Sequence, residues 1–509
     1  MNIVKLYKKL HRWPGLIISF VMLYFAVTGI VMNHRGTFSS FDIDRKYLPS
    51  DYKYVNWNNS AVKGSLIVGT DSILVYGNIG IWLCDSALTH HLDFNAGFPK
   101  GIDNRKIFDV HLSPDGNLYA ATLLGLYAYD RQGSQWKKFS IDVDIERFVG
   151  LESVGDTLFA LNRSYLFKGI SAGTHTTFER IPLSAPLGHS PKVSLFETMW
   201  QLHSGEIFGL PGKLVVDLLG FVTIVLSVTG IIYFFFPGII KRRQKQNLPV
   251  ARWAAVNRWS LKWHNRTGAW FVFFLVVLYF TGMFLRPPLL IPIAGIHVKP
   301  LKYSHLDQPN PWYDKLRDIV YDPERGLLLL STTEGMYFMD HSHSVPVRFQ
   351  HQPPVSVMGI NVFEPYGGGA YLIGSFSGIF LWHPDCPDIY NYATGKPYMD
   401  ARSGRPVGDL KVSGLMTDMQ GNRYATDHSL GALALRHNHP IPPMPQTIAD
   451  ASGMSLWNLM LEIHTGRFFN FIFGVFYILI VPLAGLAGVI VSISGYLLWR
   501  KMYRGKRQK

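Results

Sequence analysis

The chain has 509 residues, is 48% hydrophobic and carries a formal net charge of +14. These values fit a basic soluble enzyme, a nucleic-acid binder or a membrane protein, so the position of the charge decides. Three stretches, 1–13, 241–266 and 500–509, contain 18 Lys and Arg and no Asp or Glu. Each adjoins a long apolar run, which is the positive-inside pattern of a membrane protein and disfavours nucleic-acid binding.

Four apolar runs, 14–32, 210–236, 267–285 and 468–499, are each long enough to cross a bilayer, which takes about 20 residues. The first lacks a small-x-small cleavage site, so we expect it to be retained. An inner-membrane protein with both termini in the cytoplasm is predicted. Its expected parts are helices at 1–34, 199–240, 263–286 and 454–500, periplasmic regions at 35–198 and 287–453, a cytoplasmic loop at 241–262 and a tail at 501–509.

The chain is internally duplicated. His11 precedes Thr28-Gly29 by the same interval at which His264 precedes Thr281-Gly282, and His203-Ser204-Gly205 matches His464-Thr465-Gly466. Each copy is therefore a helix, an external region and a second helix. Two such hairpins in one orientation relate by a pseudo-twofold axis along the membrane normal.

The two external regions are predicted to be β-rich. A short motif, Gly followed by aromatic and β-branched residues, recurs at Gly80, Gly125, Gly335 and Gly378, with weaker copies near Tyr165 and Gly431. Intervals of about 40 to 50 residues are typical of propeller blades. The predicted fold class is thus membrane α + β, with a duplicated helical hairpin and two propeller-like insertions; one joint six-bladed domain and two separate β domains remain alternatives.

The cysteines exclude some cofactors. Cys84 and Cys386 are the two cysteines of the chain, one in each external region, and a disulfide between them stays open. The sequence has no C-x-x-C-H for covalent haem and no cysteine cluster for iron-sulfur ligation.

Four histidines are the candidate ligands of two haem b groups. Histidine at a membrane boundary is often a plain interfacial residue, but ionisable groups there are costly unless used, and imidazole is a common haem ligand. The pseudo-twofold pairs His11 with His264 on the cytoplasmic side and His203 with His464 on the outer side.

Other residues suit the same cofactor. Gly15 and Gly268 lie four positions after their histidines, on the same helix face, where a flat macrocycle needs space. Arg12 and Arg266 are candidate partners of haem carboxylates. They are equally well explained as positive-inside anchors.

The outer pair has a matching set of candidates and a rival ligand. Gly205 and Gly466 follow the outer histidines, and Arg467 is a further carboxylate partner. His34 is an alternative ligand on the outer side. The duplication disfavours it, because the matching position in the second copy is Pro287. A straight helix would place His203 roughly 21 Å from Asp217, a distance that follows from 14 residues at 1.5 Å each.

Three acidic residues complete the candidates. Asp217 is an intramembrane carboxylate, interpreted as a hydrogen-bond partner of a neighbouring helix or as a contact for protons or quinol. Glu206 and Glu462 flank the outer histidines and are candidates to orient their rings.

On these residues the chain resembles the PepSY-associated transmembrane family, which includes inner-membrane ferric-siderophore reductases. The resemblance covers about a third of the chain, the four helices, and rests on 10–13 with Thr28-Gly29 and Asn33-His34, on 202–205, on 263–266 and on 463–468. It implies a haem-b oxidoreductase that passes electrons outward, in some members to siderophore-bound iron. The external regions are longer here than the family's compact PepSY domains.

Two functions from different classes follow. The first is a transmembrane ferric-chelate reductase in contact with membrane lipid, with a periplasmic acceptor such as a ferric chelate. Its donor is a quinol, a flavin or a separate protein, because no dinucleotide-binding G-x-G-x-x-G follows a strand. The second is a haem-independent binding or sensory protein anchored by its helices.

Overall fold

The computed structural model describes residues 3–143, 146–340, 345–356, 359–398 and 408–504. Its contacts divide the chain into two units, and each unit is discontinuous in sequence. The helical unit contains residues up to 38, 190–308 and from 457 onward. The β unit contains 39–189 and 309–456, so most of each predicted external region belongs to it, whereas 190–198 and 287–308 belong to the helical unit.

Four long apolar helices of the described chain meet the length and composition needed to cross a membrane. The α-helices are α1 (Ile3–Asn33), α2 (Arg35–Phe38), α3 (Leu195–Ser204), α4 (Gly209–Lys245), α5 (Ala251–Met283), α6 (Gln446–Ala451), α7 (Leu456–His464), α8 (Asn470–Phe473) and α9 (Ile480–Trp499). Short 3₁₀ segments lie between the short helices and the membrane helices, at Glu206–Phe208, Arg467–Phe469 and Gly474–Leu479.

The membrane helices form a bundle in which α1 and α5 each pack against both α4 and α9. Glycines let the backbones approach closely. A Cβ at Gly220 would lie 3.2 Å from Ile30 of α1, and one at Gly485 would lie 2.6 Å from Met283 of α5. Small residues at helix crossings are typical of membrane bundles, where dispersion contacts drive association.

Two short helices, α3 and α7, carry the outer histidines and do not continue into the membrane helices. Each ends at a glycine in the left-handed conformation, Gly205 with φ 80° and Gly466 with φ 79°. A 3₁₀ segment follows each glycine. His203 and Asp217 are therefore not joined by one straight helix, which was the condition for the separation given above.

The loop between the second and third long helices is much shorter than the predicted 241–262. Helix α4 continues to Lys245 and α5 begins at Ala251. Hydropathy marks where the bilayer ends, whereas Lys, Arg, Gln and Ala are good helix formers that extend a helix into water. The predicted boundaries of the second and third helices shift for the same reason.

The β unit consists mainly of six antiparallel meanders. In chain order they are β2 (Val62–Ile67), β3 (Ser72–Gly77), β4 (Gly80–Asp85), β5 (His91–Asp93); β6 (Ile107–Leu112), β7 (Leu118–Thr122), β8 (Gly125–Asp130), β9 (Gln135–Lys138); β10 (Phe148–Val154), β11 (Thr157–Asn162), β12 (Leu166–Ile170), β13 (Glu179–Ile181); β16 (Leu316–Asp322), β17 (Leu327–Thr332), β18 (Gly335–Asp340), β19 (Val347–Arg348); β20 (Val362–Gly367), β21 (Ala370–Ser375), β22 (Gly378–Trp382), β23 (Tyr390–Asn391); and β24 (Val412–Thr417), β25 (Arg423–Asp427), β26 (Gly431–Ala434). Two further pairs are β1 (Asp42–Ile43) with β27 (Met454–Ser455), and β14 (Val193–Ser194) with β15 (His297–Val298) of the helical unit.

The first strands of the six meanders contact one another in cyclic order, β2 with β6, β6 with β10, β10 with β16, β16 with β20, β20 with β24 and β24 with β2. The recurring Gly-aromatic motif lies on the third strand of each sheet, as at Gly80, Gly125, Gly335 and Gly378. Buried apolar side chains from adjacent sheets fill the space between them, for example Leu74 with Ile107. Cys84 and Cys386 are free thiols in this unit.

Candidate functional site

Two pairs of imidazoles face each other inside the helical unit. The rings of His11 on α1 and His264 on α5 have centroids 6.0 Å apart. The rings of His203 on α3 and His464 on α7 have centroids 6.2 Å apart. The structure thus brings together the two pairs that the duplication predicts.

Each of the four rings donates its Nδ1 hydrogen bond to a neighbouring helix. The acceptors are the Val491 carbonyl for His11 at 2.9 Å, the Leu226 carbonyl for His264 at 3.1 Å, the Leu278 carbonyl for His203 at 3.0 Å and the Thr28 hydroxyl for His464 at 2.8 Å. A donating Nδ1 fixes the tautomer and leaves Nε2 with a free lone pair. This is the arrangement that orients histidine ligands of metals.

A Ser/Thr-Gly dipeptide lies beside every ring. The four dipeptides are Ser494-Gly495 at His11, Thr229-Gly230 at His264, Thr281-Gly282 at His203 and Thr28-Gly29 at His464. A Cβ on these glycines would lie 2.6, 3.2, 2.6 and 3.4 Å from the Cε1 atom of the respective ring. Each hydroxyl donates to a carbonyl three residues earlier in its own helix. The same local structure therefore positions all four imidazoles.

The spacing within each pair fits one iron atom. Metal to imidazole nitrogen bonds are about 2 Å long, so an iron held between two rings puts their centroids roughly 6 Å apart. Among the described residues no group of three or more His, Cys, Asp or Glu could hold a metal ion. Two protein ligands suffice for haem, because the porphyrin supplies the other four nitrogens.

A cavity of about 100 Å³ lies at the inner pair. Its lining includes His11, His264, Gly268, Tyr279, Gly488 and Gly495. Glycine and small polar residues of four helices leave this space between the two imidazoles and the middle of the bundle. Gly268 lines this cavity, and its role in making space for a macrocycle stays a prediction. Gly15 is absent from the lining, and its Cβ would make an ordinary contact with Val491 at 3.7 Å.

Other predicted residues have different roles from those expected. Gly205 and Gly466 end helices, as their positive φ angles show. The atoms nearest to a Cβ at these two glycines belong to Gly212 and Lys213 and to Tyr477 and Ile480, and not to the imidazoles. Arg12 lies over the Phe234 ring at 5.2 Å, and Arg266 lies near Trp263 and Trp270. These stacked guanidinium groups fit the anchoring role that the sequence left open.

The outer carboxylates do not orient the imidazoles. Glu206 forms an ion pair with Lys213 at 2.9 Å, and Glu462 forms a bidentate pair with Arg467, with 3.0 Å between Nε and Oε2. The carbonyl and hydroxyl acceptors described above have taken the orienting role. Arg467, three residues after His464, is bonded to Glu462, and its role as a haem carboxylate partner stays a prediction.

His34 belongs to neither pair. Its Nε2 lies 2.7 Å from Oδ2 of Asp217, and Asn33 donates to Oδ1 of the same carboxylate at 3.0 Å. This ring nitrogen is thus used in a bond that joins the end of α1 to α4. Asp217 has the interhelical hydrogen-bonding role that the sequence indicated.

Sequence reasoning missed three features of the site. It did not identify Thr229-Gly230 or Ser494-Gly495, although both repeat the dipeptide found at 28–29 and 281–282. It also missed Arg286, which lies four residues after Gly282. A search for the repeated Ser/Thr-Gly would have found the first two.

The fold and these residues define a membrane protein with four spanning helices and two facing pairs of imidazoles. Its sequence matches the family described as the PepSY-associated TM region over residues 4–236 and 238–501, and the chain belongs to this family. No curated protein matches the chain.

Solved structures resemble the chain only distantly. The extracellular domain of a protein described as a hybrid two component system from B. thetaiotaomicron is 13% identical with a TM-score of 0.37, covering 74% of this chain and 33% of that one. A second such domain from the same organism is 10% identical with a TM-score of 0.32, covering 76% and 45%. Porphyromonas gingivalis dipeptidyl peptidase 4 is 10% identical with a TM-score of 0.24, covering 77% and 54%. This chain spans about a third of the first structure, and similarity at this level carries no argument about function.

Proposed function

We propose that the protein is a dihaem b-type oxidoreductase of the inner membrane that passes electrons across the bilayer to a periplasmic acceptor. The observation that carries this proposal is the distance between the two ring centroids within each imidazole pair, 6.0 Å in one pair and 6.2 Å in the other. The Nδ1 atoms of all four rings are hydrogen-bonded. Hydrogen bonds made by Nδ1 leave both Nε2 atoms of each pair available to one iron. Two haem b groups are the matching cofactors.

The residues of the chain have distinct tasks in this proposal. His11 and His264 would hold one haem iron, and His203 and His464 the other. Haem supplies the reversible one-electron chemistry, and the protein supplies ligation, spacing and electrostatics. The Ser/Thr-Gly dipeptides hold the rings in place and let each imidazole lie against a helix backbone.

The proposed architecture is a duplicated hairpin. Gly220 against Ile30 repeats Gly485 against Met283, and the four imidazole sites repeat one local structure. The basic stretches support a cytoplasmic location for both termini, with both insertions in the periplasm. The cyclic contacts of the six first strands support a six-bladed propeller as the fold of the β unit.

The acceptor is proposed to be a ferric chelate, because the family resemblance includes siderophore reductases. One electron delivered at the outer pair converts one chelated Fe³⁺ to Fe²⁺, and the weaker binding of Fe²⁺ by oxygen ligands then favours release. The donor is a quinol, a flavin or a separate protein at the inner side. The cytoplasmic segment between α4 and α5 is residues 246–250, too short for a dinucleotide-binding domain.

A second candidate function is a haem-independent binding or sensory protein. The size of the β unit favours it, since this unit contains more than half of the chain. Absorbance of the purified protein separates the two functions. A Soret band with a b-type α-band after dithionite reduction supports the oxidoreductase, and the absence of both bands leaves the binding protein.

Replacement of single histidines tests the oxidoreductase. We expect His11→Ala and His264→Ala each to remove the same one of two haems, and His203→Ala and His464→Ala each to remove the other. The measurements are haem content per chain and redox titration of the α-band. His34→Ala is the matched control and should retain both haems, because its imidazole is bonded to Asp217.

Two results would contradict this ligand assignment. Loss of the outer haem in His34→Ala with its retention in His203→Ala would show that the outer ligand is misassigned. Full haem content in all four single variants would exclude the proposed ligation.

A further inference from the structure

Two arginines follow closely in sequence on the residues that form the outer imidazole site. Arg286 lies in the bend after α5, four residues after Gly282, the glycine against the His203 ring, and Arg467 begins the 3₁₀ segment three residues after His464. The Arg286 guanidinium is 5.9 Å from the centroid of the Tyr477 ring and forms a side-chain hydrogen bond with Tyr477, and Arg467 is among its electrostatic neighbours. The two guanidinium groups are therefore close enough to repel each other.

Charge is unbalanced in this arginine pair. Glu462 is already bonded to Arg467 through both of its oxygens, and it is the carboxylate among the electrostatic neighbours of Arg286. Buried Nε of Arg286 has no hydrogen-bond partner among the residues that the structure describes. Two cations and one carboxylate leave one positive charge in excess, and such a half-buried charge is costly without an anion.

The first copy of the repeat does not have this feature. The position equivalent to Arg286 is Asn33, four residues after Gly29, and Asn33 donates to Asp217. The position equivalent to Arg467 is Glu206, three residues after His203, and it pairs with Lys213. Packing of the duplicated bundle therefore does not require arginine at these positions, and arginine at both of them is confined to the second copy.

We infer that Arg286 and Arg467 form a carboxylate-binding site that takes the propionates of the haem at the outer histidine pair. The inference rests on the proposed function, since it names residues that recognise the polar edge of the same cofactor. Guanidinium groups match carboxylates with two parallel hydrogen bonds, and the free Nε of Arg286 supplies one such donor. Because the equivalent positions are Asn and Glu, the site selects one orientation of an asymmetric macrocycle.

The test compares haem with haem dimethyl ester, which has the same iron and ring but no carboxylates. Full-length His11→Ala protein, in which the outer site remains, is titrated with each porphyrin and followed by absorbance. We expect the ester to bind about 10- to 100-fold more weakly than haem, the range typical of lost outer contacts at metal sites. Arg286→Gln and Arg467→Gln should weaken haem binding and leave ester binding unchanged.

Asn33→Ala is the matched control, since it occupies the equivalent turn of the other copy. It should keep the full preference for haem over the ester. Retention of the inner haem in Arg286→Gln made in the wild-type background shows that the bundle is folded.

Two negative results have different meanings. Equal affinity of the outer site for haem and its ester overturns the carboxylate site while leaving the dihaem proposal intact. Absence of haem binding by both the wild type and the His11→Ala protein removes the proposed function, and this inference falls with it.

Discussion

At the residue scale, the four imidazoles share one environment made of a Ser or Thr, a glycine and a carbonyl oxygen. The hydroxyl satisfies its hydrogen bond within its own helix, which removes a polar group that would otherwise need a partner inside the membrane. The carbonyl or hydroxyl oxygen accepts the Nδ1 hydrogen of the ring. The glycine provides the space in which Cε1 lies, and a side chain there would displace the imidazole.

The glycine contacts predict a graded response to alanine. Gly282→Ala places a Cβ 2.6 Å from Cε1 of His203, a distance that real contacts do not reach, so the ring must move. Gly29→Ala places it 3.4 Å from His464, where a small adjustment suffices. We expect Gly282→Ala to lose the outer haem and Gly29→Ala to keep most of it, as measured by haem content per chain.

Gly15→Ala is the control for this series, because its Cβ would make an ordinary contact at 3.7 Å and Gly15 is not in the cavity lining. This variant should bind two haems. Equal loss of haem in Gly282→Ala and Gly15→Ala would contradict the proposed role of the ring contacts.

At the element scale, the short helices α3 and α7 determine where the outer imidazoles lie. Each ends in a left-handed glycine two residues after its histidine, and a 3₁₀ turn then leads into the membrane segment. A continuous helix would carry the imidazole away from the bundle. The break instead lets His203 reach the Leu278 carbonyl on α5 and His464 reach Thr28 on α1.

Substitution of a helix-ending glycine tests this role. At Gly466, φ is 79° and a Cβ would lie 3.1 Å from the Tyr477 carbonyl, so Gly466→Ala is strained in conformation and in contact. We expect a loss of stability of about 1–2 kcal/mol from the left-handed backbone alone. The thermal midpoint in detergent should fall, and the outer haem should be lost before the inner one.

Gly238→Ala is the control, because Gly238 is inside α4 and no atom lies within 4 Å of the position that its Cβ would take. Alanine is the better helix former, so this variant should be neutral or slightly stabilised. A fall in the thermal midpoint equal to that of Gly466→Ala would show that the backbone conformation is not the cause.

At the scale of the whole molecule, the first strands of the β unit bring carboxylates of different sheets together. Burial raises the pKa of Asp109 on β6 to about 6 and the pKa of Glu152 on β10 and Glu364 on β20 to about 7. Burial also raises the pKa of Asp318 on β16. Asp109 repels the other three, and Arg423 is the cation facing Glu364.

These shifts predict a pH dependence of stability. A carboxyl whose pKa is higher in the folded state than in the unfolded state binds more protons when folded, so stability falls as the pH rises from about 4 to 7. We expect the Glu152→Gln, Glu364→Gln double variant to have a higher thermal midpoint than the wild type at pH 7.5 and an equal one at pH 4.5. The measurement is the unfolding of the full-length protein in detergent at both values.

Comparing the wild type with the double variant separates the effect of the carboxylates on stability from that of His111, whose pH dependence has the opposite sign. Burial lowers the pKa of His111 to about 4. The protein therefore loses the stability that this neutral imidazole contributes as the pH falls below the usual pKa of histidine. Its contribution is the same in both proteins and cancels. A double variant that is less stable than the wild type at pH 7.5 would contradict the prediction.

The sequence by itself determined the four apolar helices, the pairing of His11 with His264 and of His203 with His464, and the repeated third strand of each sheet. These features are local or periodic, so hydropathy, spacing and self-similarity carry them without knowledge of the fold. The helix ends beyond the bilayer were not determined in this way, because apolar length reports the thickness of the membrane and not the length of the helix.

Only the tertiary structure decided which groups position the imidazoles. His11 reaches a carbonyl 480 residues away and His464 a hydroxyl 436 residues away, so the partners share no local pattern with the histidines. It also decided that Gly205 and Gly466 end helices while Gly282 and Gly495 lie against rings, since the role of a glycine depends on its φ and its neighbours. The Arg286 and Arg467 pair likewise exists because two segments distant in sequence come together in the folded chain.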